Sequence, residues 1–161
     1  MIVISDTSPL NYLILIECID VLPALYGRVV IPEGVLAELQ RDSTPQVVKE
    51  WIAARPDWLD IRQARMQAND ALSMLGVGER QAISLAQELN AAAIIIDEER
   101  GRKEARRLGL SVVGILGVLR DAAERKLIEL PAALELLRRT NFRVSEAIIQ
   151  SLLLREAERD R

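Results

Sequence analysis

Two aspartates in this sequence stand at positions where a carboxylate can do chemistry. Asp6 and Asp97 follow the apolar runs IVI and AAAIII, each of which predicts a buried strand. In an open parallel sheet, ligands bind beyond the carboxyl ends of the strands. If the two strands are neighbours, both carboxylates therefore emerge at one edge of the sheet. Either aspartate alone is equally well explained as a turn residue or as the cap of a following helix.

Two glutamates lie on helical stripes that otherwise face a core. Glu79 shares its stripe with Ala82 and Ile83 in GERQAISLAQELN, and Glu38 shares one with Leu39 in IPEGVLAELQ. A charge on a core-facing stripe costs several kcal/mol unless it is paired or bound to a metal. The helix dipole offers a simpler explanation for Glu79, because it favours a carboxylate near a helix N-terminus. We nevertheless expect all four acids to converge on one end of the sheet.

The composition restricts what these acids can do. The 161 residues include no histidine and one cysteine, Cys18, which excludes Ser-His-Asp triads, Cys-His dyads and zinc sites built from Cys and His. Clustered carboxylates repel one another, and hard divalent cations such as Mg²⁺ or Mn²⁺ relieve that repulsion through oxygen ligands. Such a site is typical of phosphodiester chemistry. The candidate catalytic and metal-binding residues are Asp6, Glu38, Glu79 and Asp97.

Charge and hydropathy indicate where such a protein acts. The net charge is −3, from 24 acids and 21 bases, which argues against non-specific coating of nucleic acid by the bare protein. The first apolar run stops at Asp6 without a cationic lead or a cleavage site, so it does not resemble a signal peptide. No apolar run approaches the roughly 20 residues that span a bilayer. We therefore expect a cytoplasmic protein that does not enter a membrane.

Alternating short strands and longer helices carry these residues. Together they predict a three-layer α/β/α fold with a mainly parallel central sheet. We expect residues 1–161 to form one domain, with the C-terminal helices from about residue 115 packed on the rest of that domain. The predicted strands are at 2–4, 29–31, 58–61, 92–96 and 112–113. The predicted helices begin at Pro9, with Ser8 as a candidate N-cap, and at Pro32-Glu33, and further helices span 46–54, 79–89, 99–108, 115–126, 131–139 and 145–158.

Four segments of the sequence resemble the PIN-domain family, the PilT N-terminus-like nuclease fold of VapC-type toxins. They are VISDTSPLNYL, VVIPEGVLAEL, GVGERQAISLA and AAIIIDEERGRKEARRLGLSVVG, and the resemblance runs from about residue 2 to residue 150. It implies a metal-dependent endoribonuclease, acting as the toxin of a toxin–antitoxin pair, with a small antitoxin protein as partner and a homodimeric state. By this resemblance, all four candidate acids match the family's acidic metal-binding positions.

The same resemblance points to accessory residues. Thr7 or Ser8 would supply a hydroxyl near the first aspartate, although N-capping explains Ser8 equally well. Glu98 adjoins Asp97 and would contribute through a water molecule. A run of bases follows the last acid and would meet the RNA backbone at the rim of the site, although a solvated helix face also accounts for it. These candidate RNA-binding residues are Arg100, Arg102 and Lys103.

Two other functions compete with this interpretation. A catalytically silent module on the same fold would bind RNA or a cation without cutting RNA. An unrelated α/β phosphotransfer protein would use the D-T-S sequence after the first strand as a nucleophile motif. The second alternative needs a lysine after a later strand, and Lys49, Lys103 and Lys126 are poorly placed for that role.

Overall fold

A five-stranded parallel sheet forms the centre of the molecule. The computed structural model of the chain describes residues 1–65 and 74–160. Within them the strand order is β3-β2-β1-β4-β5, and every neighbouring pair is parallel. The predicted three-layer fold is therefore confirmed. The strands are β1 (Val3–Ser5), β2 (Val29–Pro32), β3 (Leu59–Arg62), β4 (Ala93–Ile95) and β5 (Val112–Val113).

The inner strands β1, β2 and β4 are mainly apolar because both faces of the sheet are covered, whereas the edge strand β3 includes Asp60 and Arg62. Successive side chains of a strand point to opposite faces, and in β1 Val3 packs in one hydrophobic core while Ile4 packs in another. β4 divides in the same way, with Ile95 in the first core and Ile94 in the second. Because Ile4 is aligned with Ile94, the two strands present matching faces to the helices on each side.

Helices follow the strands, and loops and turns connect these elements. Several begin directly after a strand, which places their N-termini at the carboxyl edge of the sheet. The helices are α1 (Thr7–Leu15), α2 (Val21–Tyr26), α3 (Glu33–Leu39), α4 (Gln46–Ala53), α5 (Val77–Glu88), α6 (Glu99–Arg107), α7 (Ile115–Glu124), α8 (Leu130–Arg138) and α9 (Glu146–Arg159).

Two local predictions are wrong. The first helix begins at Thr7 with Asp6 in the N-cap position, so Ser8 lies inside the first turn and is not the cap. The second error is α2, which the sequence pattern did not indicate. Its six residues include Pro23, but a proline in the first turn of a helix removes no intrahelical hydrogen bond.

The last three helices contribute to the larger core. α7 buries Val118 and Leu119, α8 buries Leu134 and Leu137, and α9 buries Ile149 alone. No helix in the two described ranges has the length and apolar character that crossing a membrane requires.

Candidate metal centre

The sheet brings two of the predicted acids to the same edge. Asp6 directly follows β1, and Asp97 lies just beyond the end of the neighbouring strand β4. The backbone amide of Asp6 donates to the carbonyl of Ile95 at 2.9 Å, so the two strand ends remain paired up to the acids. The charge of Asp97 is one of the influences that raise the pKa of Asp6, which is expected for two carboxylates at the same edge of the sheet.

Asp6 is the most deeply buried acid of the cluster. Its side chain is 4 % exposed, and loss of solvation raises its pKa to about 7. A backbone hydrogen bond from Thr7 lowers this pKa, while the charges of Glu38, Asp97 and Glu98 raise it. Within the described part of the chain, nothing hydrogen-bonds to its buried atom Oδ1.

Glu38 reaches the cluster from the last turn of α3. One of its oxygens accepts a hydrogen bond from the Thr7 hydroxyl, and the other accepts one from the Gly78 amide at 3.2 Å. The hydroxyl of Thr7, the residue after Asp6, is thus directed to Glu38, and its predicted assisting role stays a prediction. Ser8 is half-buried in the first turn of α1.

Glu79 and Glu98 form a pair of carboxyl groups. Glu79 lies in the first turn of α5, and burial together with a hydrogen bond to Glu98 raises its pKa to about 8. Glu98 is the N-cap of α6 and accepts from the Gly101 amide at 3.1 Å. A Cβ on Gly101 would stand 2.9 Å from Oε2 of Glu79, an atom that is buried and has no hydrogen-bond partner among the described residues.

The backbone at the start of α7 holds Asp97. Its Oδ1 accepts from the Ile115 amide at 2.8 Å, whereas Oδ2 is buried and finds no partner in residues 1–65 and 74–160. Burial raises the pKa of Asp97, while the Ile115 hydrogen bond and the positive charge of Arg102 lower it. One oxygen is thus fixed and the other is available to a ligand.

Two glycines have no side chain next to the acids, and this makes room for the carboxylates of Glu38 and Asp97. A Cβ on Gly78 would come within 2.5 Å of Glu38 Oε1, and a Cβ on Gly114 would come within 2.8 Å of Asp97 Oδ1. Sequence reasoning did not assign either glycine a role. The available signal was a glycine at the start of a helix next to a candidate acid, as in GVGE.

The basic residues of α6 divide into two groups. Arg100 and Lys103 are exposed, which is compatible with their predicted contact to a nucleic-acid backbone. Arg102 is half-buried, and its Nη1 donates to the carbonyl of Ile96 at 3.0 Å. Its guanidinium is therefore directed toward the acid cluster, whereas the sequence predicted the same RNA-binding role for all three residues.

The donor set fits a hard divalent cation. Oxygen is the only ligand atom that these residues offer, which suits Mg²⁺ or Mn²⁺. As the side chains stand, no group of three or more His, Cys, Asp or Glu residues within the described ranges could hold a metal ion. The fit depends instead on three buried carboxylate oxygens without partners, each on a different element: Asp6 Oδ1, Glu79 Oε2 and Asp97 Oδ2.

Comparisons with known proteins agree with this fold. The model of a family described as "DUF3368: PIN domain" matches residues 2–158. The solved structure of a PilT N-terminus domain protein from the hyperthermophilic archaeon Sulfolobus solfataricus P2 is similar, with a TM-score of 0.54 and 18 % sequence identity over 76 % of this chain and 93 % of that chain. None of the curated proteins matches. The chain belongs to the PIN-domain family, whose members are generally nucleases that typically use divalent metal ions.

Proposed function

We propose that this protein is a metal-dependent endoribonuclease that hydrolyses RNA phosphodiester bonds. The observation that carries the proposal is the cluster of acids in which three buried carboxylate oxygens have no hydrogen-bond partner among the described residues. Removing several carboxylates from water and placing them close together is costly. The elevated pKa values of Asp6 and Glu79 reflect that cost, and a divalent cation would remove it.

The four predicted acids would hold the cation, which is Mg²⁺ or Mn²⁺ in this proposal. When bound, such a cation supplies Lewis acidity and activates water for attack on phosphorus. The chain's own groups orient the acids. The Thr7 hydroxyl and the Gly78 amide hold Glu38, and the Ile115 amide holds Asp97. Glu98 lies beside Glu79 and raises the pKa of Glu79 when no cation is bound.

The RNA backbone would approach over α6. Arg100 and Lys103 are exposed on this helix, which begins directly after Asp97 and Glu98. Cationic side chains in this place position a phosphate backbone without reading its sequence. Because the protein has a net charge of −3, these two residues and the bound cations would supply the local positive field that attracts RNA.

We further propose that the protein is the toxin of a toxin–antitoxin pair in the cytoplasm. This role follows from the resemblance to VapC-type toxins, and it brings a small antitoxin protein and a second copy of this chain as partners. The exposed apolar side chains of α9 support an additional contact, because Ile148 and Leu154 are 48 % and 63 % exposed.

RNA cleavage by the purified protein tests the nuclease proposal. We expect cleavage with Mg²⁺ or Mn²⁺, loss of activity with EDTA, and a fall of at least about 100-fold in Asp6→Asn, because one oxygen ligand is removed. Asp20→Asn is the matched control, since Asp20 is exposed and its side chain makes no cap hydrogen bond. Cleavage that survives both EDTA and Asp6→Asn would contradict the proposal.

One observation favours the catalytically silent alternative. Glu38 is bonded through both oxygens to Thr7 and Gly78, so a cation would compete with these bonds. A silent module predicts that calorimetry detects Mn²⁺ binding while no RNA is cleaved at any cation concentration. The same purified protein therefore decides between the two functions.

A further inference from the structure

Arg102 differs from its basic neighbours on α6. Arg100, Lys103 and Arg106 are exposed, whereas Arg102 is half-buried and its Nη1 donates to the carbonyl of Ile96 at 3.0 Å. A guanidinium held in this way is directed back toward the end of β4. It is therefore less available to a backbone passing over the outer face of the helix.

The residue that Arg102 contacts directly precedes Asp97. The Ile96 amide donates to the carbonyl of Val113 at 2.9 Å, so its N–H is held by β5 and its carbonyl by Arg102. The Ile96 side chain is fully buried. The backbone immediately before Asp97 is thus fixed on both sides, which restricts the direction in which the carboxylate projects.

Gly114 lies next to both the guanidinium of Arg102 and the carboxylate of Asp97. A Cβ on this residue would stand 2.5 Å from Arg102 Nη1 and 2.8 Å from Asp97 Oδ1. Both groups therefore fill the space that a side chain would otherwise take. The positive charge of Arg102 also acts on Asp97 and opposes the effect of burial on its pKa. The charge and the geometry favour the same carboxylate orientation.

We propose that Arg102 is a positioning residue for Asp97, which holds the end of β4 and the adjacent carboxylate so that Oδ2 faces the acid cluster. This inference rests on the proposed nuclease function and assigns Arg102 to the inside of the site instead of to the RNA. The planar guanidinium suits the role because it donates to a carbonyl while its charge stays beside a carboxylate. A lysine would keep the charge but not that geometry.

Three variants separate geometry, charge and RNA binding. Arg102→Lys keeps the charge, Arg102→Gln removes it, and Arg106→Gln is the matched control on an exposed position one turn further along α6. The measurements are hydrogen exchange at the Ile115 amide, Mn²⁺ affinity by calorimetry, and kcat and KM for RNA cleavage. Hydrogen exchange is measured without metal, so it reports the Asp97 orientation directly.

We expect Arg102→Lys to speed exchange at Ile115 relative to the control, because the acceptor Asp97 Oδ1 is no longer held. Mn²⁺ affinity and kcat should each fall by about 10- to 100-fold, the usual effect of removing a group that orients a metal ligand. KM should stay close to that of Arg106→Gln. If Arg102→Gln does not fold, Arg102→Lys, which keeps the charge, provides the comparison with Arg106→Gln by itself.

Two results would overturn the proposal. Variants of Arg102 that match Arg106→Gln in exchange, affinity and kcat would show that Arg102 does not position Asp97. The other result is a higher KM for RNA whose dependence on salt is weaker, with kcat and exchange at the Ile115 amide unchanged. It would show that Arg102 binds RNA instead. If the wild type neither binds Mn²⁺ nor cleaves RNA, the proposed function fails, and exchange at Ile115 still decides the role of Arg102.

Discussion

At the scale of single residues, the site depends on glycines as well as on acids. A glycine has no Cβ, and this leaves room for a neighbouring carboxylate. The Gly78 amide donates to Glu38 Oε1, and a Cβ at Gly78 would come within 2.5 Å of the same atom. The crowded atom is the end of a flexible side chain, so the carboxylate would move in preference to the helix. A glycine substitution can therefore separate activity from stability.

We expect Gly78→Ala to fold and to lose activity. Alanine favours a helix over glycine by about 0.8–1.0 kcal/mol, so thermal stability should be unchanged or slightly higher, while cleavage falls about 10- to 100-fold as Glu38 is displaced. Gly76→Ala is the control, because its Cβ would meet Glu79 at an ordinary distance of 3.7 Å. Melting curves and RNA cleavage rates check both variants, and equal cleavage by the two would refute the role of Gly78.

At the scale of elements, helix N-termini explain how the fold tolerates its acid cluster. α1, α6 and α7 each begin within four residues of the end of a strand, with Asp6, Glu98 and Gly114 as their N-caps. Each N-terminus carries unpaired amides and a partial positive charge, which stabilise nearby carboxylates. The parallel topology therefore supplies electrostatic compensation that requires no basic side chain.

The exposed bases of α6 give the prediction that belongs to this scale. Replacing both Arg100 and Lys103 with Gln should weaken RNA binding. The slope of the logarithm of the RNA association constant against the logarithm of salt concentration should fall by about 0.7 for each phosphate that the variant no longer binds. Fluorescence anisotropy in an Asp6→Asn background measures binding without cleavage. Lys126→Gln with Arg155→Gln removes the same charge from exposed positions elsewhere. An identical salt slope in both double variants would contradict the binding of RNA by α6.

Local sequence patterns predicted the parts of this site that depend on strands and single helices. Asp6 and Asp97 follow buried strands, and Glu38 and Glu79 lie on core-facing stripes, so all four were expected to converge. The hydrogen bond between Glu38 and Gly78 joins α3 to α5, which are far apart in the sequence. The inward turn of Arg102 depends likewise on β5 and Gly114. No spacing rule within one helix encodes such long-range pairings.

At the scale of the whole molecule, protons and cations compete for the same oxygens. Burial raises the pKa values of Asp6 and Glu79 to about 7 and about 8, and it also raises the pKa of Asp97. The folded state without metal therefore binds more protons than the unfolded chain between about pH 4 and pH 8. A divalent cation requires the deprotonated carboxylates, so its effect on stability has the opposite dependence on pH.

The melting temperature should reveal this competition. In EDTA, the free energy of unfolding that these acids contribute is lost as pH rises from about 4 to 8, because deprotonation then leaves buried carboxylates without a cation. With Mg²⁺ or Mn²⁺ the gain in melting temperature should grow over the same range, since binding to the native state stabilises it. Asp6→Asn, which cannot titrate at this position, should show a smaller loss in EDTA and a smaller gain with metal, whereas Asp20→Asn should follow the wild type. Differential scanning calorimetry of the three proteins measures both slopes. If Asp6→Asn keeps the wild-type dependence on pH and on metal, the buried acids are not where protons and cations compete.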